Sequence, residues 1–212
     1  MIIVSCAIPG AYADSLEKNY AGILENIGIV DNGYKLSDEV VTRAQFIRMI
    51  INILCDEVST HKGKLPFDDV SVMDENYNHI RTAYEYGIIS GDGNGKFNPN
   101  SPIKYNEAVK IVVELLGYKE YALIGGGYPN GYINVSNEIK LTKSVPNTND
   151  LISGTAAARL IYNALHIETG TIELRGGMLY SISRGGDNLM SQTMDLYSVK
   201  GILTANEFNV DC

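Results

Sequence analysis

The sequence has no tryptophan, and its 212 residues include only three cysteines and three histidines. So few and such scattered cysteines and histidines exclude a zinc site with recognisable ligand spacing. Seventeen basic residues against twenty-five acidic ones give a net charge of −8, which argues against nucleic-acid binding through counterion release. Past the N-terminus, no segment has the ~18 apolar residues that a membrane span requires. What is left is an acidic globular protein of one or two domains, 45% hydrophobic.

The N-terminus resembles a secretory signal peptide. Residues 2–8 are mostly apolar, and Ala11-Tyr12-Ala13 has the small-x-small form that signal peptidase accepts. The run is short and has no basic flank, so two alternatives stay open: the true start lies upstream of Met1, or the likeness is accidental. A further interpretation takes residues 3–6, ending at Cys6, as a lipoprotein box. We expect residues 1–13 to be the remnant of a signal peptide and the protein to be exported.

A unit of helix, loop rich in Gly, Asn and Pro, and second helix recurs along the chain. Its clearest copy has apolar residues at helical spacing on both sides of a loop at 87–103. In an earlier copy, Thr42 and Gln45 form a capping box at the second helix start. Three such hairpins cannot each bury a core alone, so we expect them to pack together. The predicted helices are 20–27, 41–58, 77–86, 106–116, 118–124, 132–139 and 152–165.

The chain changes character after Glu168, where short runs of β-forming residues are broken by Gly-Gly pairs. We expect three or four strands there, including 171–174, 178–182 and 195–203. Open strand edges invite pairing with another chain, either a second copy or a larger assembly, and the alternative is a small sheet packed against the last helix. The predicted modules are 15–62, 63–117 and a degenerate 118–167, followed by a β segment at 168–212 that could begin a further domain.

Three motifs resemble the S-layer homology family of bacterial surface proteins. They are Phe-Asp-Asp-Val at 67–70, Gly-Ile-Ile-Ser-Gly-Asp-Gly-x-Gly-x-Phe-x-Pro at 87–99, and Val-Thr-Arg-Ala-Gln-Phe at 41–46. The resemblance covers residues 15–167, and the third unit is similar to the variant in clostridial surface proteins. It implies a mainly α fold, with three helical hairpin modules in a pseudo-threefold bundle and a small C-terminal β segment. It also implies an extracellular location at the cell wall.

The resemblance also implies a function. In this family, grooves between the modules hold a secondary cell-wall polysaccharide, often bearing a pyruvate ketal, and a Thr-Arg pair at the second helix start supplies much of the site. That chemistry is sensible, because a guanidinium offers paired donors to a carboxylate and a helix start adds free amides. Only the first unit keeps the pair, so we expect at most one full anionic site. Aligned helix starts give the expected glycan-binding residues Thr42, Arg43, Lys104, Tyr105 and Ser153.

No catalytic constellation is recognisable, so we expect a non-catalytic anchoring module without cofactors. The alternative is a structural or assembly scaffold of a surface layer or larger complex that no longer binds glycan. One of the adjacent carboxylates Asp68 and Asp69 is interpreted as a helix N-cap. Tyr128 and Tyr132 flank a turn and could form a sugar platform, although core packing is the alternative for each.

The loop that begins at Asp92 resembles the start of an EF-hand calcium loop. It has Lys96, Phe97 and Ile103 where that motif needs a ligand, a glycine and a glutamate. We therefore predict no metal site there. The glycines are expected to supply positive φ angles, and Phe97 to plug the core.

Overall fold

The structure is a computed structural model that describes residues 20–31, 37–54, 58, 63–146, 150–175 and 178–194, with 171–185 and 193–194 described by their backbone alone. The predicted signal peptide at 1–13 and the predicted strand at 195–203 lie outside these residues. The helices are α1 (Tyr20–Asn26), α2 (Arg43–Leu54), α3 (Tyr77–Glu85), α4 (Tyr105–Leu115), α5 (Lys119–Ile124), α6 (Asn130–Glu138), α7 (Gly154–Leu165) and α8 (Leu189–Met194), and the strands are β1 (Glu168–Arg175) and β2 (Met178–Asn188).

All seven predicted helices are present, so the mainly α fold class is confirmed. The starts of α2 and α7 each lie two residues later than predicted. The reason is that residues 41–42 and 152–153 are extended and pair with other segments, so their backbone groups are already satisfied outside a helix. Within the described part of the chain, none of the helices has the length and apolar character to cross a membrane.

Helix α2 is central to the packing because it contributes to two clusters of buried side chains. Phe46 and Ile50 face the larger cluster, which is shared with α1, α4, α6 and α7, whereas Ile47 and Ile51 face a smaller one with α3 and Phe97. Burial of each such side chain contributes about 1.5–3 kcal/mol relative to exposure. Burial on two sides explains why the helix has few polar residues.

A β-hairpin follows α7 and is tied to the bundle at its base. Strands β1 and β2 are antiparallel, with Ile172 opposite Ile182. The amide of Gly170 donates to the carbonyl of Leu116 at 2.8 Å, and the hydroxyl of Tyr118 donates to the carbonyl of Glu168 at 2.9 Å. The described residues thus hold two of the expected strands, each longer than predicted.

Candidate functional site

Three extended segments, one before each of α2, α4 and α7, meet in a closed ring. The amide of Val41 donates to the carbonyl of Ile152 at 3.0 Å, that of Ile103 donates to Val41 at 3.0 Å, and that of Ile152 donates to Ile103 at 3.2 Å. All three side chains are buried. Each segment therefore has one donor and one acceptor in the ring, which gives the helix starts an approximate threefold arrangement.

The first residues of the three helices occupy equivalent places around this ring. The amide of Arg43 donates to Ser101 at 2.9 Å, that of Tyr105 donates to Asp150 at 2.7 Å, and that of Gly154 donates to Glu39 at 2.9 Å. Each acceptor lies two residues before a ring residue. The structure therefore brings together the five residues expected from the sequence, which are Thr42, Arg43, Lys104, Tyr105 and Ser153.

The capping groups differ among the three starts. At α2 the predicted capping box is confirmed: the Thr42 amide donates to Gln45 Oε1 at 2.9 Å, and the Gln45 amide donates to Thr42 Oγ1 at 3.2 Å. At α4 only the carboxylate half is present, with the Lys104 amide donating to Glu107 Oε2 at 3.3 Å. At α7 only the hydroxyl half is present, because Ser153 Oγ accepts from the Ala156 amide at 3.3 Å.

Arg43 is held in place by groups from the neighbouring unit. Its Nε donates to the carbonyl oxygen of Phe97 at 2.9 Å, and its Nη1 donates to Glu107 Oε2 at 3.2 Å. The guanidinium carbon lies 5.0 Å from the centre of the Phe97 ring, a cation–π distance. The side chain remains 23% exposed, and among the described residues Nη2 donates no hydrogen bond. One end of the guanidinium thus stays open to a ligand.

The loop that presents Phe97 is fixed by the Phe-Asp-Asp-Val motif. The two carboxylate oxygens of Asp69 accept from the amides of Phe97, at 2.9 Å, and Asn98, at 2.7 Å. The interpretation of one of these carboxylates as a helix N-cap is therefore wrong: Asp69 accepts from a loop 28 residues away, and α3 begins only at Tyr77, with Asn76 in the N-cap position. Local spacing gives no signal for this partnership. As a result, the Phe-Asp-Asp-Val motif and the glycine-rich loop together position Arg43, which belongs to the third motif.

The glycine-rich loop has the predicted structural role. Gly91, Gly93 and Gly95 have φ angles of +75°, +83° and +77°, and Phe97 is almost completely buried. Asp92 turns the loop, because its Oδ1 accepts from the amides of Asn94 and Lys96, and these bonds lower the pKa of its carboxyl group.

Tyr128 adds an aromatic surface within electrostatic range of Glu107, the carboxylate partner of Arg43. Its side chain is half exposed, and its pKa is raised, first by burial and then by the negative charge of Glu107. The Tyr132 ring lies 6.4 Å away but is buried, with its hydroxyl donating to Glu114 at 2.6 Å. Of the two tyrosines expected to form a platform, only Tyr128 has an accessible ring. We use the name arginine groove for Arg43, Glu107 and Tyr128, together with the buried Phe97 ring on which the guanidinium packs.

Tyr105 and Gly154 make the two equivalent positions unlike the arginine groove. The Tyr105 ring is 6% exposed and packs in the larger core cluster, and this burial raises its pKa. Gly154 borders a cavity of about 340 Å³ that Gln45 also lines. Gln45 of α2 corresponds to Glu107 of α4, because each lies three residues after the residue that precedes its helix. Gly154 therefore leaves open a space corresponding to the one that the Arg43 side chain fills. A buried oxygen, Oδ1 of Asn76, has no hydrogen-bond partner among the described residues at that cavity.

Comparison with known proteins links this site to a family. The family model of the S-layer homology domain matches residues 66–109. A cell surface protein of Thermoanaerobacter kivui is 32% identical over 61% of this chain and 16% of its own length. A middle cell wall protein of Brevibacillus brevis is 25% identical over 68% of this chain and 14% of its own length. Exoglucanase XynX of Acetivibrio thermocellus is 37% identical over 44% of this chain and 9% of its own length.

The chain spans less than a fifth of the length of these relatives. The matched residues include the Phe-Asp-Asp-Val motif, the glycine-rich loop and Glu107, which together hold Arg43. The domain and the surface proteins indicate a cell-surface, cell-wall location. Residues 66–109 are therefore an S-layer homology domain, and the chain is similar over a longer stretch to bacterial cell-surface and cell-wall proteins.

Proposed function

We propose that this chain is a non-catalytic module that anchors a surface protein to the cell wall by binding a secondary cell-wall polysaccharide. The domain match and the similar surface proteins support the anchoring role. The match to an exoglucanase supports a module without catalysis of its own, since it covers only 9% of that enzyme. The observation that carries the polysaccharide part is the fixed, partly exposed guanidinium of Arg43 at the meeting point of two helix starts.

The arginine groove offers three kinds of contact to a sugar chain. The open end of the Arg43 guanidinium can donate to a carboxylate, such as that of a pyruvate ketal. Glu107 can accept from sugar hydroxyl groups, and the exposed Tyr128 ring can pack on the apolar face of a sugar. Glu107 offsets part of the arginine charge, so we expect one acidic group per bound repeat and no recognition of a dense polyanion.

The other expected residues have unequal parts in this proposal. The amide of Lys104 and Nη1 of Arg43 both donate to Oε2 of Glu107, which places Lys104 at the edge of the arginine groove. Because its side chain is exposed, its ammonium group can add a second positive charge there. Thr42 and Ser153 use their hydroxyl oxygens as helix caps, which fixes the helix starts and leaves each hydroxyl hydrogen able to donate to a sugar. Tyr105 supports the site by packing beneath it.

Sedimentation with purified, deproteinised cell walls tests this proposal. The wild-type chain should co-sediment, and Arg43→Ala should lose most of that binding because the charge-assisted contact contributes about 1.5–3 kcal/mol. Lys64→Ala is a matched control, since it also removes one positive charge but lies at an exposed pair with Asp68. Equal binding by Arg43→Ala and the control, with both folded, would rule out the arginine groove as the site.

The second candidate is a scaffold of a surface layer that does not bind glycan. It is favoured by the loss of the arginine at two of the three equivalent positions. Failure of the wild-type chain to sediment with walls would select it. In that case we expect self-association through the C-terminal strands, measured as concentration-dependent mass by analytical ultracentrifugation.

A further inference from the structure

A second cavity lies at the other end of α7 from the ring. It has a volume of about 390 Å³ and is bordered by the turn after α6, the C-terminal half of α7 and the start of β1. Its first lining residue on α7 is Arg159, six residues and about 9 Å along the helix from Ser153 at ~1.5 Å per residue, and the four residues of the arginine groove are not among those that line it. It is therefore distinct from the arginine groove, and binding of a ligand there does not depend on the proposed function.

The cavity is positively charged in a strongly acidic chain. Lys140, Lys143 and Arg159 line it, against the carboxylates of Glu138 and Glu168. Glu138 already accepts a hydrogen bond from the hydroxyl of Tyr121 at 3.0 Å. Cationic side chains thus predominate at this cavity, although the whole chain has a net charge of −8.

The cations are held on a fixed framework. Asn163 of α7 donates from Nδ2 to the carbonyls of Leu141, at 2.8 Å, and Lys143, at 2.9 Å, which ties the turn to the helix. The guanidinium carbon of Arg159 lies 5.4 Å from the Tyr20 ring centre and 5.7 Å from that of Tyr162. An arginine packed on two rings and a turn tied by two hydrogen bonds lose little freedom when a ligand binds.

Lys140 stands where glycine would be the favourable residue. It follows the end of α6 with a φ angle of +62°, and its amide closes the helix by donating to Asn137 at 3.1 Å. Glycine adopts this left-handed conformation without the steric cost that a side chain carries. The lysine therefore costs stability at this position, where its exposed side chain is one of those that line the cavity.

We infer that this cavity binds an anionic group, a carboxylate or a phosphate, between Lys140, Lys143 and Arg159. The shared chemistry is a compact oxyanion that accepts from two ammonium groups and one guanidinium. Tyr162 and His166, whose rings lie 4.6 Å apart, form an aromatic wall at the same cavity. A sugar that bears the acidic group can pack against this wall.

Titration of the ¹⁵N-labelled full chain with inorganic phosphate, acetate and glucose, followed by NMR at low salt, tests the inference. At least one of the two anions should give saturable shifts at residues 140–143 and 159–166, and glucose should not. The anion whose shifts saturate at the lower concentration is the preferred ligand. Because the readout is local, it is separate from wall binding through Arg43.

The double variant Lys140→Ala, Lys143→Ala should weaken the anion's affinity about tenfold or more, since each charged contact contributes on that scale. Lys64→Ala, Lys96→Ala removes the same charge elsewhere and should change the affinity less than twofold. Lys140→Gly, which relieves the backbone cost, should raise stability while still weakening binding. Absence of saturable shifts for both anions, or equal weakening by the two double variants, would overturn the inference.

Discussion

Replacing Arg43 by alanine should destabilise the fold as well as remove the ligand contact. The variant loses the hydrogen bond from Nε to the Phe97 carbonyl, the hydrogen-bonded ion pair with Glu107 and the cation–π packing on the Phe97 ring. A bond from a charged donor contributes about 1.5–3 kcal/mol, and a partly exposed cation–π contact about 0.5–1 kcal/mol. The ion pair adds little, because its side chains are 23% and 34% exposed. Since all three share one side chain, we expect a total loss of about 2–3 kcal/mol.

Urea unfolding followed by circular dichroism measures this loss directly. The transition should move to lower urea with an unchanged slope, because the surface exposed on unfolding stays the same. Arg43→Lys should recover only part of the stability, since an ammonium cannot reproduce the planar geometry that contacts the carbonyl and the carboxylate together. A loss below about 0.5 kcal/mol, similar to that of an exposed surface substitution, would refute the reasoning.

Three further predictions concern contacts elsewhere in the bundle. Ser153→Ala removes the α7 cap and should lower the unfolding free energy by about 1 kcal/mol, whereas Ser153→Asp keeps a capping oxygen and should retain the wild-type stability. Equal losses for the two variants would contradict a capping role. Gly131→Ala places a Cβ 2.0 Å from the carbonyl oxygen of Ala122, so the variant should lose on the order of 3 kcal/mol of stability, and its melting temperature should fall by about ten degrees or more. A near-native melting temperature would show that helices α5 and α6 separate freely at this contact. Burial first, and then the charge of Arg48, lower the pKa of His79, so its contribution to stability is complete above the unfolded pKa of about 6.5 and is lost as the pH falls below that value. His79→Gln should flatten that dependence, and an unchanged pH profile would exclude the histidine as a cause.

Much of the fold could be predicted because its signals are local. The helices carry apolar residues at 3- and 4-residue spacing, and the Thr42–Gln45 capping box depends on two residues three positions apart. Alignment of the helix starts placed Thr42, Lys104 and Ser153 at equivalent positions, and the ring of hydrogen bonds agrees with that alignment. The helix α8 was not predicted, because the sequence after residue 168 was interpreted as a β segment throughout.

The groups around Arg43 could not be predicted in this way. Phe97 and Glu107 lie 54 and 64 residues further along the chain, and no spacing rule links residues at that distance. The sequence indicated that Phe97 fills the core, and it gave no sign that the carbonyl of the same residue holds the arginine. Tyr105 was expected to face a sugar from its motif position, whereas its large ring packs in the core.

The open end of the Arg43 guanidinium is central to the proposed function. The most direct measurement is the NMR signal of the Arg43 side chain, assigned by comparison with Arg43→Lys, during titration with purified secondary cell-wall polysaccharide. We expect a saturable shift of the Arg43 signal, together with shifts at Glu107 and Tyr128, and a smaller effect after mild acid removes pyruvate ketals from the polymer. Saturable binding of the polysaccharide that leaves the Arg43 signal unmoved would contradict a role for this side chain in the site.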